Sequence, residues 1–365
     1  MKIKELTQYL EQIAPLSYQE SYDNSGLLVG NPDEEISRAL ISLDCTEDIV
    51  DEAIQKRCDI IISHHPIVFK GLKKLNGKNY VERVIIKAIQ HNIALYAIHT
   101  NLDNVLGGVS SKIAEKLDLE SHAILRPKAG FLKKLVVYVP RTHVEAVREA
   151  LFQAGAGAIG HYDECSYNTV GYGTFRALAG ADPAIGAVGV QERVEETKIE
   201  VVYPVAKERG ILLAMYHSHP YEEVAHDIFV LENQLHTVGS GAIGNLKVPM
   251  SGREFLAHIK ATLNLNVIRH TRLLDKPISR VAVCGGAGGF LLSDAKRSGA
   301  DVFITADYKY HEFFDAEDEI VIADIGHFES EQFTQELLLE VIQKKFVNFA
   351  VLLTGIETNP IKYYV

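Results

Sequence analysis

The sequence predicts an α/β protein: a discontinuous α/β domain, residues 1–127 and 233–365, interrupted by a ferredoxin-like α+β domain at 128–232. Three observations carry this. At 365 residues the chain exceeds the roughly 100 to 200 residues of a single domain. Near both ends, unalternated Ile/Leu/Val/Ala strands are separated by helical stretches, the texture of a parallel sheet covered on both faces. Between them the rhythm changes to β-α-β-β-α-β, the split βαβ arrangement, which folds as its own unit.

The apolar positions of 3–13 recur at the helical period, so the first element is a helix. Strands follow at 38–43, 59–62 and 93–98, with helices near 49–57 and 81–90 between them. In the middle block 132–139 reads as a strand, 143–154 as a helix, and 162–177 and 197–203 as strands. A helix at 205–216 and a strand at 226–231 complete it. The Gly- and Ala-rich stretch 179–189, with Pro183, is a connector between strands. Glycines at 239–244 mark the return to the first domain, whose later strands fall at 280–284, 301–305, 319–323 and 349–353. Helices near 290–298 and 329–345 lie among them.

Hydrophobic residues make up 47% and charged residues 23%, which excludes collagen-like, low-complexity and wholly disordered classes. No apolar run approaches the roughly 20 residues that cross a bilayer, and the charged amphipathic start lacks a signal-peptide stretch, so a soluble cytoplasmic protein is expected. A net charge of −11 without any Lys/Arg block argues against binding a nucleic-acid backbone. Cys45, Cys58, Cys165 and Cys284 stand singly, so neither a disulfide framework nor a thiolate zinc site is indicated. Any metal must be held by nitrogen and oxygen. Histidine, with 15 copies, is the unusual component.

Three apolar strands end in polar ligands. CDIIISHHP delivers His64 and His65, IALYAIHTNLDN delivers His99 and then Asp103, and EIVIADIGHFESEQF delivers His327 and, four residues on, Glu331. A helix starting near His327 puts that imidazole and carboxylate on one face. The carboxyl ends of parallel strands point one way, and ligands bind in the crevice above them. A pocket of imidazoles and carboxylates suits Zn, Mn, Fe or Ni. Such a set exceeds the needs of one ion and matches two sharing a bridge. Adjacent side chains diverge on extended backbone, so His64 and His65 are expected to serve one ion each. Two such cations would support hydrolase chemistry.

The segments YDNSGLLVG at 22–30, SHHPIVF at 63–69, HTNLDN at 99–104 and GHFESE at 326–331 resemble the GTP cyclohydrolase 1 type 2 homolog family, also called Nif-three-like proteins. That resemblance implies a dinuclear site on His64, His65, Asp103, His327 and Glu331, with Glu331 as the bridge. It also implies hydrolysis of a nucleotide-like substrate, a toroidal homohexamer, and an inserted domain similar to CutA and nitrogen-regulatory PII proteins. Tyr22 stands where the family often has Trp. The alternative is a metal-binding regulatory or scaffold protein whose inserted domain senses a small molecule.

Four weaker signals remain. CGGAGGF at 284–290 reads either as an anion cradle before a helix or as a tight turn. His99 reads as a catalytic proton donor or a group orienting the ligands, against a plain buried imidazole. HSHPYEE at 217–223 reads mainly as a loop of the inserted domain, with metal binding as its second reading. Asp44 and Asp307, just past strands, read as solvated turn or capping residues.

Overall fold

Strand ends, in the computed structural model, are what bring distant parts of this chain together; the structure describes residues 1–364. The first block contains β1 (Gly26–Val29), β2 (Arg38–Ser42), β3 (Ile60–Ser63), β4 (Ala94–Ala97) and β5 (Glu120–Ala129). Next come β6 (Leu132–Pro140), β7 (Tyr167–Arg176), β8 (Gln191–Pro204) and β9 (His226–Leu231). The final block holds β10 (Gln234–Met250), β11 (Arg269–His270), β12 (Ile278–Ala287), β13 (Val302–Ala306), β14 (Val321–Asp324) and β15 (Ala350–Leu353). One compact unit joins Met1–Pro127 to the segment from His236 onward; the other is Lys128–Leu235.

The larger unit contains two sheets, where the sequence reading expects the strands of its two segments to be parallel. The first has the order β1-β4-β3-β2-β15, with β15, β2, β3 and β4 parallel and β1 antiparallel at the edge. The second has the order β11-β14-β13-β12-β10-β5, with β12, β13 and β14 parallel, β11 antiparallel to β14 and β10 antiparallel to β12. So the last strand of the late block completes the early sheet. Helices Glu47–Gln55 and Tyr80–Gln90 cover one face of the first sheet, burying Ile49, Val50, Val84 and Ala88 on Leu40, Ile61 and Leu95. Thr46 and Asn79 cap these helices by accepting the Ile49 and Glu82 backbone N–H groups.

In the second sheet, alternation explains why β12 to β14 are apolar throughout. Val281, Val283, Val302 and Ile304 pack against Phe255 and Ile259, whereas Ala282, Phe303 and Ile322 pack against Leu291 and Ala295 on the other face. The glycine-rich 239–244 stretch, read from sequence as the return to the first domain, lies inside the 17-residue strand β10. A Cβ on Gly239 would lie 2.2 Å from the Arg126 carbonyl oxygen, so glycine here permits close backbone approach rather than a turn. The expected helix at 290–298 is a short 3₁₀ turn followed by Leu292–Arg297, and that at 329–345 divides into His327–Glu331 and Thr334–Lys345.

In the smaller unit the antiparallel sheet β7-β8-β6-β9 carries helices Val144–Gln153 and Glu208–Ser218 on one face. Val147, Leu151, Ile211 and Met215 bury that face through Leu135, Val137, Ile199 and Val201. No helix among the described residues is long and apolar enough to cross a membrane.

Candidate metal centre

β3 ends at Ser63 and passes directly to His64 and His65; β4 ends at Ala97, just before His99 and the helical turn Thr100–Asp103. β14 of the other sheet ends at Asp324, and Gly326 starts the helical turn His327–Glu331. The carboxyl ends of strands from both sheets thus meet at one pocket of about 910 Å³ within the larger unit. Its lining includes His65, His99, Asp103, His327 and Glu331, with His64 fully buried behind them.

Glu331 is the hub. Its Oε2 lies 3.0 Å from His65 Nε2 and 3.2 Å from His327 Nε2. Oε1 lies 3.8 Å from His64 Nε2, which is in turn 3.6 Å from Asp103 Oδ1. Two triads that could each hold a metal ion therefore share one carboxylate: His65, His327 and Glu331, and His64, Asp103 and Glu331. His64 and His65 diverge, their rings 5.0 Å apart and tilted by 47°, so each belongs to a different triad. His99 completes a third group with His64 and His65.

The polar accounting fits a cation. His64 Nε2, His65 Nε2, Asp103 Oδ1 and Glu331 Oε2 are buried and make no hydrogen bond. The 3.0 Å between His65 Nε2 and Glu331 Oε2 is an ion-pair distance without hydrogen-bond geometry; the two atoms converge on common space rather than on each other. Buried polar atoms are rarely left this way unless something absent from the protein satisfies them. The opposite ring nitrogens are all engaged. Nδ1 of His64 meets the Ile98 carbonyl at 2.8 Å, that of His65 meets Asp44 at 2.8 Å, that of His99 meets Asp23 at 2.8 Å, and that of His327 meets Asp307 at 2.7 Å. Each acceptor makes Nδ1 the protonated nitrogen and leaves the Nε2 lone pair facing the pocket.

Charge follows the same division. Burial opposes charge on His65, but Asp44 and Glu331 outweigh it and push its pKa up to about 10. For His327, burial is likewise outweighed by Glu331 and Asp307, giving about 9. Burial holds His64 below the usual imidazole value. Asp103 is raised well above the carboxylate range by burial and by the neighbouring Glu331 charge. Burial would raise Glu331 too, but the three imidazoles hold it well below that range.

The weaker signals resolve in the structure. Asp44 and Asp307 are acceptors for ligand-bearing imidazoles, not merely solvated turn residues, and Asp44 also accepts from the Thr358 hydroxyl at 2.5 Å. The 284–290 glycines do not precede a long helix; a Cβ on Gly286 would lie 2.4 Å from Glu331 Oε1, so they let the β12 end run against the hub carboxylate. In HSHPYEE, His219 is spent on structure: Nε2 meets the Tyr138 carbonyl at 3.0 Å and Nδ1 accepts from the Tyr221 N–H. Sequence reasoning missed Asp23, which accepts from His99, the Thr100 backbone and hydroxyl groups, and the Ser25 hydroxyl. Its signal was position alone, inside the YDNSG segment.

The chain matches the Duf34/NIF3 (NGG1p interacting factor 3) family across residues 1–360. It is similar to a GTP cyclohydrolase 1 type 2 homolog of Bacillus subtilis, 40% identical over 99% of this chain and 98% of that protein. A protein of the same name from Halalkalibacterium halodurans is 39% identical over 98% and 97%. Among solved structures, the Bacillus cereus protein related to NIF3 superposes with a TM-score of 0.85 at 38% identity, covering 100% of this chain and 99% of that one. Likeness of this extent, running through both sheets and the unit between them, means that the chain belongs to the Duf34/NIF3 family.

Proposed function

We propose that this protein is a dinuclear metal-dependent hydrolase of a nucleotide-like substrate. One observation carries the reading: His64 Nε2, His65 Nε2 and Asp103 Oδ1, buried without hydrogen bonds, gather around the equally buried Glu331, whose two oxygens face separate His/Asp and His/His pairs. His64, Asp103 and Glu331 would hold one divalent cation, and His65, His327 and Glu331 the second, with Zn, Mn, Fe or Ni suited to this donor set. When bound, such a pair supplies Lewis-acid chemistry, acidifying water and neutralising developing negative charge.

The chain's own groups do the rest. Asp23 fixes His99 with its proton on Nδ1, so Nε2 is the atom that can exchange a proton in the pocket, beside His64 and His65. Phe69 sets its ring 5.4 Å from His99, and the exposed rings of Tyr22, Tyr80 and Phe290 also line the pocket, surfaces on which a heteroaromatic base can stack. The names of the relatives bring GTP forward as the first nucleotide to try. A ring of six copies is the assembly we propose, and light scattering on the purified protein tests it.

The decisive experiment pairs elemental analysis with hydrolysis assays on a purine and pyrimidine nucleotide panel. Wild type is expected to carry two cations per chain and turn over a nucleotide, while His64→Ala and Glu331→Gln lose both. Loaded wild type that hydrolyses nothing on the panel refutes the enzymatic reading; unchanged metal content in the variants refutes the ligand assignment.

A further inference from the structure

We propose that a cavity in the smaller unit binds an organic cation, a primary amine carried on an aromatic body. The cavity measures about 760 Å³ and is lined only by residues of that unit, from Tyr138 to Ala225. It is independent of the metal centre and of the function proposed for it.

Register places the cavity on the face of the sheet that the two helices leave open. Val137 and Ile199 point into the helix-covered core, so Tyr138 and its partner Lys198 point the other way, and Glu196 shares that side. On β7 the residues of the same side are Gly171, opposite Glu196, then Gly173 and Phe175. Two glycines in mid-strand weaken a sheet unless something approaches closely. Here it is the Glu196 carboxylate: a Cβ on Gly173 would sit 2.0 Å from its Oε2.

Glu196 is 9% exposed. One of its oxygens accepts from the Tyr221 hydroxyl at 3.1 Å; the other accepts no protein hydrogen bond among the described residues. Phe175 and His219 pack edge-on to the Tyr221 ring, at 5.7 and 5.1 Å, which holds that hydroxyl in place. That second Glu196 oxygen is not among the fully buried orphan atoms, so it is open to the cavity, where a ligand's ammonium can meet it. Neither cation of the lining pairs with Glu196 among the described residues: Lys198 pairs with Glu200 at 2.5 Å, and Arg176, at the end of β7, makes no ion pair with it. Glu222 and Glu223 add negative charge to the lining, and the faces of Tyr138, Phe175 and Tyr221 favour a cation over an anion. A carboxylate for the ammonium, aromatic faces beside it and apolar walls from Leu178 and Ile185 together define the ligand class.

The test uses the full chain and three probes of one shape but different charge: tyramine, neutral 4-ethylphenol and anionic 3-(4-hydroxyphenyl)propionate, with phenethylamine and tryptamine as further amines. Calorimetry or ligand-observed NMR should show the amines binding at least about tenfold more tightly than the neutral and acidic analogues, the span expected of one charge-assisted contact. Glu196→Gln, isosteric and checked for an unchanged melting temperature, should lose about tenfold in amine affinity. Tyr221→Phe, which keeps the ring, should lose less, and Glu331→Gln should lose nothing. The proposal is overturned if no amine binds below about 10 mM, if the three charge types bind alike, if Glu196→Gln binds as wild type does, or if Glu331→Gln abolishes binding.

Discussion

Every histidine facing the metal pocket has its far ring nitrogen tied to an oxygen, and that oxygen belongs to the backbone only for His64. The three aspartates doing this work elsewhere should therefore be separable from the ligands by mutation. Asp307→Asn keeps the shape but loses the carboxylate that orients His327, and a 10- to 100-fold loss in metal affinity is expected from outer hydrogen-bond partners of this kind. Chelator competition followed by elemental analysis measures it; affinity equal to wild type would mean that Asp307 is incidental. The same residues set a pH dependence. With His65 at about 10 and His327 at about 9, both above the roughly 6.5 of an unfolded imidazole, their charged contacts stabilise the metal-free fold fully below about pH 6.5. That contribution is lost as pH rises through 9 to 10. Coordination requires neutral rings, so metal loading at pH 7.5 should release protons, about two per chain. Calorimetry in buffers of different ionisation heat reads this directly, and heats independent of buffer would contradict it. The positions of His64, His65, Asp103, His327 and Glu331 were legible because each lies directly after an apolar strand or in the short helical turn that follows it. Asp44 and Asp307 were not: each lies 21 or 20 residues from its imidazole, and an aspartate after a strand looks the same whether solvated or paired.

At the level of elements, the site depends on strand β12 ending against the His327–Glu331 turn. Gly286, at φ +63°, occupies the left-handed region and leaves no room for a side chain beside Glu331. Gly286→Ala should cost on the order of 1–3 kcal/mol and lower metal retention, since either the backbone or the carboxylate must move. Thermal unfolding and metal content report the two effects separately; a variant with wild-type values in both would remove the steric argument. Legibility was uneven here as well. Continuous apolar runs exposed β2, β3, β13 and β14, but β10 was hidden by the glycines that let it lie against β5, because the same residue marks a turn or a close contact. Helix Gly252–Thr262 went unread although its signal was present: Ser251 and Glu254 form a capping box, with Ser251 accepting from the Glu254 N–H and Glu254 from the Ser251 N–H.

For the molecule as a whole, the lining of the metal pocket draws on residues from Glu20 to Ser110 and from Ser240 to Pro360, with none from the smaller unit. Pro127 and Gly239 lie side by side, where the Gly239 Cβ position is 2.8 Å from the Pro127 Cα. Replacing 128–235 with a short Gly/Ser linker should therefore leave a folded protein with wild-type metal stoichiometry while removing the amine site. Loss of metal on excision would show that the smaller unit supports the centre after all. The pairing of β15 with β2 carries a further consequence for biogenesis. A ribosome delivers β1 to β4 of the early sheet first, but that sheet waits for β15, and His64 waits for Glu331, until the stretch that follows the smaller unit has been made. The 128–235 segment emerges whole in the interval, so it can fold on the nascent chain while its host stands open, and any cation the paired groups hold can be captured only after both parts of the larger unit exist.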